Sequence, residues 1–326
     1  MFDWIKFKIE EEEIIHRLYD NEKLILRKSV STMGKHHTII TDSKKYLNMI
    51  FDFKIIDGYI IDVTIKGSIH YYSNNGIHNA NILTFKGFKN AIEQFSSLFE
   101  INLKETILLP CEYGFNITYR NQDSIVYNCM TENRKTFRQN VSGKPSVISG
   151  GSTSDYQMKV YNKSEQFKHL SCDDILRIEN KNNRSRSWSK KGIKTLNDLM
   201  NLDNNYRIFN QFLDRFKGII LYDEHIPIDP KNNGKTTLYS NINYWRKLAK
   251  KGSHNKEYNY QKRLLENLSK KEGCNIKGQL QILIENQFIH NYGLCHYLQG
   301  VQKNILTNAQ LVKFTNAHID KMCTSE

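Results

Sequence analysis

The sequence predicts an α+β protein, with a central antiparallel sheet flanked by helices and a mostly helical, basic C-terminal region. Three observations predict it. Short segments rich in β-branched and aromatic residues recur along the first two thirds, at 47–70, after Pro110, and in YQMKVYNK and ILRIENK. Amphipathic stretches with helical spacing lie between and after them, at 87–101 and from Ile193 onward. From about 235 the texture changes to helices carrying long basic runs, after a cluster of Pro227, Pro230, Asn232, Asn233 and Gly234. The expected division is therefore an N-terminal strand and helix extension over 1–46, an α+β domain over 47–228, and a basic helical region over 229–326.

The chain has 326 residues, enough for two ordinary domains or one large domain with an appendage. With 39% hydrophobic residues, 4 Pro and 17 Gly, it can hold a core and is not low-complexity. The formal net charge is +13, and the excess is local. Lys231 to Lys303 holds 13 Lys/Arg against 4 Asp/Glu, and Asn180 to Asn197 holds 6 Lys/Arg and no acid. Such a field favours a polyanion, the plain alternative being solvated lysines that keep the protein in solution. The six Cys form no CxxC pair, and Met1–Glu13 carries a run of four Glu in place of an apolar leader. Reduced thiols in a cytoplasm are expected. No apolar run approaches the roughly 18 to 20 residues of a membrane span.

Taken in order, residues 1–30 join an aromatic start (Phe2, Trp4, Phe7) to a helical pattern around Ile14, Ile15, Leu18 and Tyr19. Residues 31–46 read as loop, and 47–70 as strands. Asn75-Gly76 signals a hairpin, because the favoured two-residue turn needs positive φ at both positions. His70 and His78 flank it. They share a face or not according to the loop length, and read as metal ligands, as DNA contacts or as plain exposed histidines. Residues 87–101 put Phe88, Ile92, Phe95, Leu98 and Phe99 on one helical face. After Pro110 the chain alternates, with Tyr113, Phe115 and Ile117 one way and Glu112, Gly114, Asn116 and Thr118 the other. Residues 120–155 read as a polar connection with two weak strands. In YQMKVYNK, Met158 and Val160 face the core while Lys159, Tyr161 and Lys163 face away. In ILRIENK, Leu176 and Ile178 pack while Arg177, Glu179 and Lys181 share the other face. Two helices and a short strand complete the domain up to about 224.

The polar strand faces carry the chemistry. If the three strands are neighbours, they gather two carboxylates, an amide, several cations and a phenol. Glu112, Glu179 and the Asn116 oxygen suit a hard ion, Mg²⁺ or Mn²⁺. Such an ion polarises a scissile phosphate, Lys or Arg neutralises its other oxygens, and a Tyr hydroxyl can attack phosphorus to leave a phosphotyrosine link. No Walker loop, GxSxG, HExxH, HxH or DxD occurs, so an ATPase or helicase module is not expected. A basic sheet that grips nucleic acid without cutting it is the competing reading.

The blocks GSIHYYSNNGIHNAN, CEYGFNI, MKVYNKSEQ and ILRIE followed by KKGIKTLNDL resemble those of phage/plasmid replication initiation proteins of the filamentous-phage type. That family is related to the plasmid rolling-circle initiators with their YDK and RFE strands. Order and spacing match over roughly residues 65–250. The resemblance implies a nuclease fold of the rolling-circle initiator kind. It implies a metal-dependent DNA endonuclease and strand transferase that binds a plasmid or phage origin as duplex and single strand, nicks one strand through tyrosine and rejoins it. It also implies a bacterial cytoplasm, no membrane, and a host replication helicase or polymerase as further partner.

Carried over by position, Glu112, Asn116 and Glu179 are the metal ligands, Tyr161 and Lys163 fall in the YDK-like block, and Arg177 belongs to the RxE block. Asn116 and Asn162 stand where the family has Asp. The plasmid initiators place a Tyr soon after the RxE strand, whereas here none follows Glu179 until Tyr206. The nucleophile is thus Tyr206 by position or Tyr161 by shared face, with Tyr222 a remote third. DNA contacts are expected from Lys159, Lys181, Arg184, Arg186, Lys190, Lys191, His70, His78, Arg246, Lys247, Lys250 and Lys251. Tyr244, Trp245, Tyr258 and Tyr260 either stack on bases or sit in the core. A non-catalytic DNA-binding protein, as a degenerate initiator or regulator, is the alternative, and RNA binding a third reading.

Overall fold

A computed structural model describes residues 1–293 apart from 34–36, 140–145, 151–153, 168–173, 228–232 and 251–255. The chain begins with β1 (Trp4–Ile9), where Ile5, Phe7 and Ile9 alternate inward. Helix α1 (Glu12–Tyr19) buries Ile14, Ile15 and Leu18. Four strands follow as successive hairpins: β2 (Ile25–Met33), β3 (Thr38–Tyr46), β4 (Met49–Ile56) and β5 (Tyr59–Ser68). Residues 31–46, expected as loop, are thus largely strand. Their Ser, Thr and Asp content hid the pattern, because polar cross-strand pairs replace apolar ones here: Ser29 donates to Asp42 and Ser43 to Asp52, each at 2.5 Å. β3 and β4, on either side of residue 46, pair along their whole length.

Helix α2 (Ile69–Ser73) replaces the expected hairpin. The Ser68 hydroxyl caps it by accepting from the Tyr71 amide at 3.1 Å, and Asn75 (φ 55°) and Gly76 (φ 76°) close it. The same left-handed preference that marks a hairpin turn also ends a helix, and the Gly76 amide reaches back to the Tyr71 carbonyl at 2.7 Å. Helix α3 (Phe85–Phe99) lays Phe95 and Phe99 on Phe51 of the first sheet, at 5.9 and 5.0 Å between rings, while Phe88 packs on Phe2 at 5.1 Å. The short β6 (Ile107–Leu108) completes that sheet, in the order β2-β3-β4-β5-β1-β6.

The second sheet begins with β7 (Glu112–Thr118). Helix α4 (Gln122–Tyr127), β8 (Cys129–Glu132), β9 (Lys135–Gln139), β10 (Ser146–Ser149), β11 (Tyr156–Asn162) and β12 (Ile175–Asn182) follow. Then come α5 (Arg186–Ser189), α6 (Leu196–Leu199), α7 (Leu202–Lys217) and β13 (Ile219–Leu221). Its order is β13-β8-β9-β10-β11-β12-β7, and every pairing in both sheets is antiparallel. The fold is α+β, as expected, but the single central sheet is two. The residues before β1 stitch them together: Phe2 bridges to Tyr113, and the Asp3 amide donates to the Glu112 carbonyl at 3.2 Å.

One face of the second sheet is apolar. Phe115 meets Phe209 and Phe212 of α7 at 5.8 and 5.1 Å. The C-terminal helices are α8 (Asn233–Tyr239), α9 (Ile242–Lys250), α10 (Lys256–Glu272) and α11 (Ile276–Asn291). α11 stacks Phe288 on Phe209 at 3.8 Å. α8 to α10 close a second core around Met130, Ile220, Tyr239, Trp245, Leu248, Tyr258 and Leu265. Trp245 and Tyr258 are therefore core residues, Tyr244 packs against them, and Tyr260 is exposed.

Candidate functional site

The other face of β11, β12 and β7 is polar. Strand register sets it out as two rows: Lys159, Glu179 and Gly114 lie side by side, and next to them Tyr161, Arg177 and Asn116. Gly114 is fixed by this register, since a Cβ there would fall 2.4 Å from the Ile178 carbonyl and 2.5 Å from the Glu179 Cβ.

Lys159 Nζ lies 2.8 Å from Glu112 Oε1 and 2.8 Å from Glu179 Oε1, so one ammonium bridges the two carboxylates. Lys181 approaches Glu112 at 3.6 Å from the more open side. Arg177 Nε donates to Glu179 Oε2 at 3.2 Å and its Nη1 to Asn116 Oδ1 at 3.0 Å. Lys163, fully buried, also reaches Asn116 Oδ1, at 3.3 Å, and donates to the Asn79 carbonyl at 2.5 Å. The Tyr161 hydroxyl donates to Glu179 Oε2 at 3.3 Å. Asp3 closes the network beneath, 3.5 Å from Arg177 Nη2 and bound by the Asn79 amide at 2.8 and 3.0 Å.

Burial, the largest influence on Glu179, pushes its carboxyl up, but Lys159 and Arg177 outweigh it and hold it below the usual range. Glu112 goes the other way, raised by burial and by the charge of Glu179. Asp3 repeats the Glu179 pattern: burial raises it, and Arg177 and Lys163 bring it well down. The Tyr161 phenol is pushed far up by burial and then by Glu179.

Glu112, Asn116 and Glu179 do not fit a divalent ion in this arrangement. The space between the carboxylates holds an ammonium, and the Asn116 oxygen is taken by Lys163 and Arg177. A hard cation needs those same lone pairs. Among the described residues no group of three or more His, Cys, Asp or Glu is placed to hold a metal. His70 is buried and bonded to Asn81 at 2.7 Å, so it is neither a ligand nor a surface contact; burial lowers its pKa to about 4. His78 is half-buried, its Nδ1 accepting from the Ala80 amide at 3.4 Å.

Tyr206 falls on the wrong side. It lies on α7, which packs against the apolar face of the sheet, 6.3 Å from Phe288 and 56% exposed. Tyr222 follows β13, at the far edge of the sheet from β7. Of the three tyrosines only Tyr161 shares the carboxylate face. The basic tail after β12 also turns away. In α5, Trp188 packs on Phe2 at 5.9 Å and donates to Gln211 of α7 at 3.2 Å. Lys191 follows it to the helical side, its carbonyl 3.5 Å from Arg207 Nη1 of α7, while Arg186 and Lys190 are exposed on either side of Trp188. Arg184 sits 3.5 Å from Asp155. Arg246, Lys247 and Lys250 are exposed on α9, and Lys251 lies outside the described residues.

Sequence reasoning missed Asp3 and Asn79. Asp3 had a signal: it shares the parity of Ile5, Phe7 and Ile9, an acid in line with core-facing positions. Asn79 had none, because its role depends on where the turn after α2 lands.

No family model matches the chain, and no curated protein matches it. A solved structure similar to it is that of the rolling circle replication initiator protein from Geobacillus stearothermophilus, at 12% identity and a TM-score of 0.31, covering 58% of this chain and 77% of that one. A likeness of that degree assigns neither a fold family nor a function.

Proposed function

We propose that the protein is a replication initiator that binds DNA and acts on one strand at the polar face of β7, β11 and β12. The observation that supports this reading is the convergence of Glu112, Asn116, Lys159, Tyr161, Lys163, Arg177 and Glu179 on one sheet face. In the strand-nicking form, Lys159 and Arg177 hold the phosphate and Tyr161 attacks phosphorus. Its proton passes to Glu179 and on to the departing nucleotide oxygen, leaving DNA linked to Tyr161. The basic C-terminal region adds phosphate contacts that set affinity, and host replication proteins act on the nicked product.

A second reading is favoured by the ammonium bridge. Lys159 occupies the gap between the carboxylates, and the Tyr161 phenol is far from ionising. Both suit a DNA-binding protein that does not cut. Supercoiled plasmid carrying the protein's own origin, incubated with it and Mn²⁺, separates the two. Nicked circles with protein attached through Tyr161 support the first. Intact circles with binding retained leave the second.

A further inference from the structure

We infer that Arg134, Arg138, Arg246 and Lys250 form a seat for the phosphate backbone of a DNA strand, on the same sheet face as the carboxylate cluster and leading to it. This deepens the proposed function and rests on DNA being the partner. The four cations, with Ala249, line an open cavity of about 360 Å³, and among the described residues no acid lines it. Cations clustered without acids are what a polyanion selects.

Register ties the seat to the site. Arg138 on β9 pairs with Ile148 on β10, Ile148 with Lys159 on β11, and Lys159 with Glu179 on β12. Paired residues point to one face of a sheet, so the Arg138 side chain shares the face of Lys159 and Glu179. Two strand spacings, about 10 Å, separate the backbones of Arg138 and Lys159. Measured along the axis of a duplex, where each strand carries one charge per about 3.4 Å, that distance spans roughly three charges. Half-buried Ile148 floors the path between them. Helix α9 forms the far wall, bringing Arg246 and Lys250 to the cavity.

The turn that delivers Arg134 gives an independent reason. Asn133 (φ 43°) and Arg134 (φ 69°) are the two central residues between β8 and β9, and Glu132 pairs directly with Lys135. Such a turn prefers Gly at its second position, and a side chain there costs about 1 kcal/mol. The chain carries Arg instead. Its guanidinium lies over the Tyr258 ring at 5.5 Å, and its amide donates to the Tyr258 hydroxyl at 3.1 Å. A strained position held by a buried aromatic and facing a cavity with three further cations points to a ligand.

The test is fluorescence anisotropy with a labelled oligothymidylate and the full chain. For single strands each phosphate-neutralising cation contributes about 0.7 to the slope of log K against log salt. Arg138→Ala with Arg246→Ala, both at exposed positions, is expected to weaken binding at least tenfold and flatten that slope by about 1.4. Lys86→Ala with Lys104→Ala, exposed cations elsewhere, is expected to change neither. Unaltered slope and affinity in the first pair, equal losses in the second, or no binding by wild type overturns the inference. Should the first pair unfold, Arg138→Ala alone decides, with a slope change of about 0.7. Wild type that binds oligothymidylate through these residues but leaves origin plasmid intact removes strand cleavage and keeps the seat.

Discussion

Replacing Lys159 with Met isolates what one ammonium contributes between two carboxylates. The pair is well enclosed, with side-chain exposures of 3% at Glu179, 14% at Glu112 and 20% at Lys159. Removing one partner of a buried pair costs about 3 to 5 kcal/mol. Arg177 still holds Glu179, so the low end applies, about 3 kcal/mol at pH 7. The pH dependence carries the sharper test. In wild type the folded Glu179 lies below its usual range, so its contribution is present above that range and lost as acid protonates it. In the variant Glu112, already raised, loses its main cationic partner and rises further. A raised carboxyl takes up a proton on folding, and its stabilising effect is complete at low pH and lost as pH rises through the folded value. The variant's deficit should therefore shrink on acidification, to about 1.5 kcal/mol at pH 5, each unit of pKa shift being worth about 1.4 kcal/mol. Urea unfolding at pH 5 and pH 7 reads both numbers. A deficit equal at the two pH values, or below about 0.5 kcal/mol at pH 7, refutes the bridging role.

Tyr161→Phe is expected to abolish covalent DNA linkage on origin plasmid while Tyr206→Phe leaves it at the wild-type level, read by labelled-DNA transfer on a denaturing gel; the reverse pattern would place the reaction on the helical side of the sheet. His70, lowered to about 4 by burial, stays neutral in the fold while the unfolded chain protonates near 6.5, so stability is present above 6.5 and lost as pH falls toward 4, by up to roughly 3 kcal/mol. His70→Asn should flatten that stretch of the stability–pH curve in urea titrations, and an unchanged slope counts against a neutral buried imidazole. Gly114→Ala is expected to cost about 1 to 3 kcal/mol, because its methyl meets the Ile178 carbonyl and Glu179; a melting temperature equal to wild type would contradict the contact.

The strand faces were readable because period-2 alternation survives in MKVYNK, ILRIENK and EYGFNI whatever the partner strands are. Their adjacency follows from pairing, which alternation does not encode, so a functional grouping had to supply it. β3 escaped because TIITDSKKY satisfies its neighbours with hydroxyls and carboxylates, which read as loop chemistry. Asn75-Gly76 misled for a related reason: positive φ is needed both by hairpin turns and by helix ends. The turn that does join two paired strands by two left-handed residues, Asn133-Arg134, lacks the glycine that would have marked it. Distance along the chain favours Tyr206, but a helix that must bury Phe209 and Phe212 against Phe115 cannot also face Glu179.

The two ends of the polar face do different electrostatic work. At β7, β11 and β12, four cations (Lys159, Lys163, Arg177, Lys181) stand against three carboxylates (Asp3, Glu112, Glu179), most of them in contact. A phosphate arriving there must compete with carboxylates already in place, so these cations add little to affinity and much to orientation. At the cavity beside α9, four cations meet no lining acid among the described residues, so a phosphate there competes with fewer carboxylates. On the proposed function, grip and chemistry are thus separated by about two strands. A strand held at Arg138 meets Lys159 and Glu179 at a high local concentration, without those residues having to supply the binding energy themselves. In that reading the division lets Glu112 and Glu179 remain beside a polyanion, because the attraction that overcomes their repulsion comes from elsewhere on the same face.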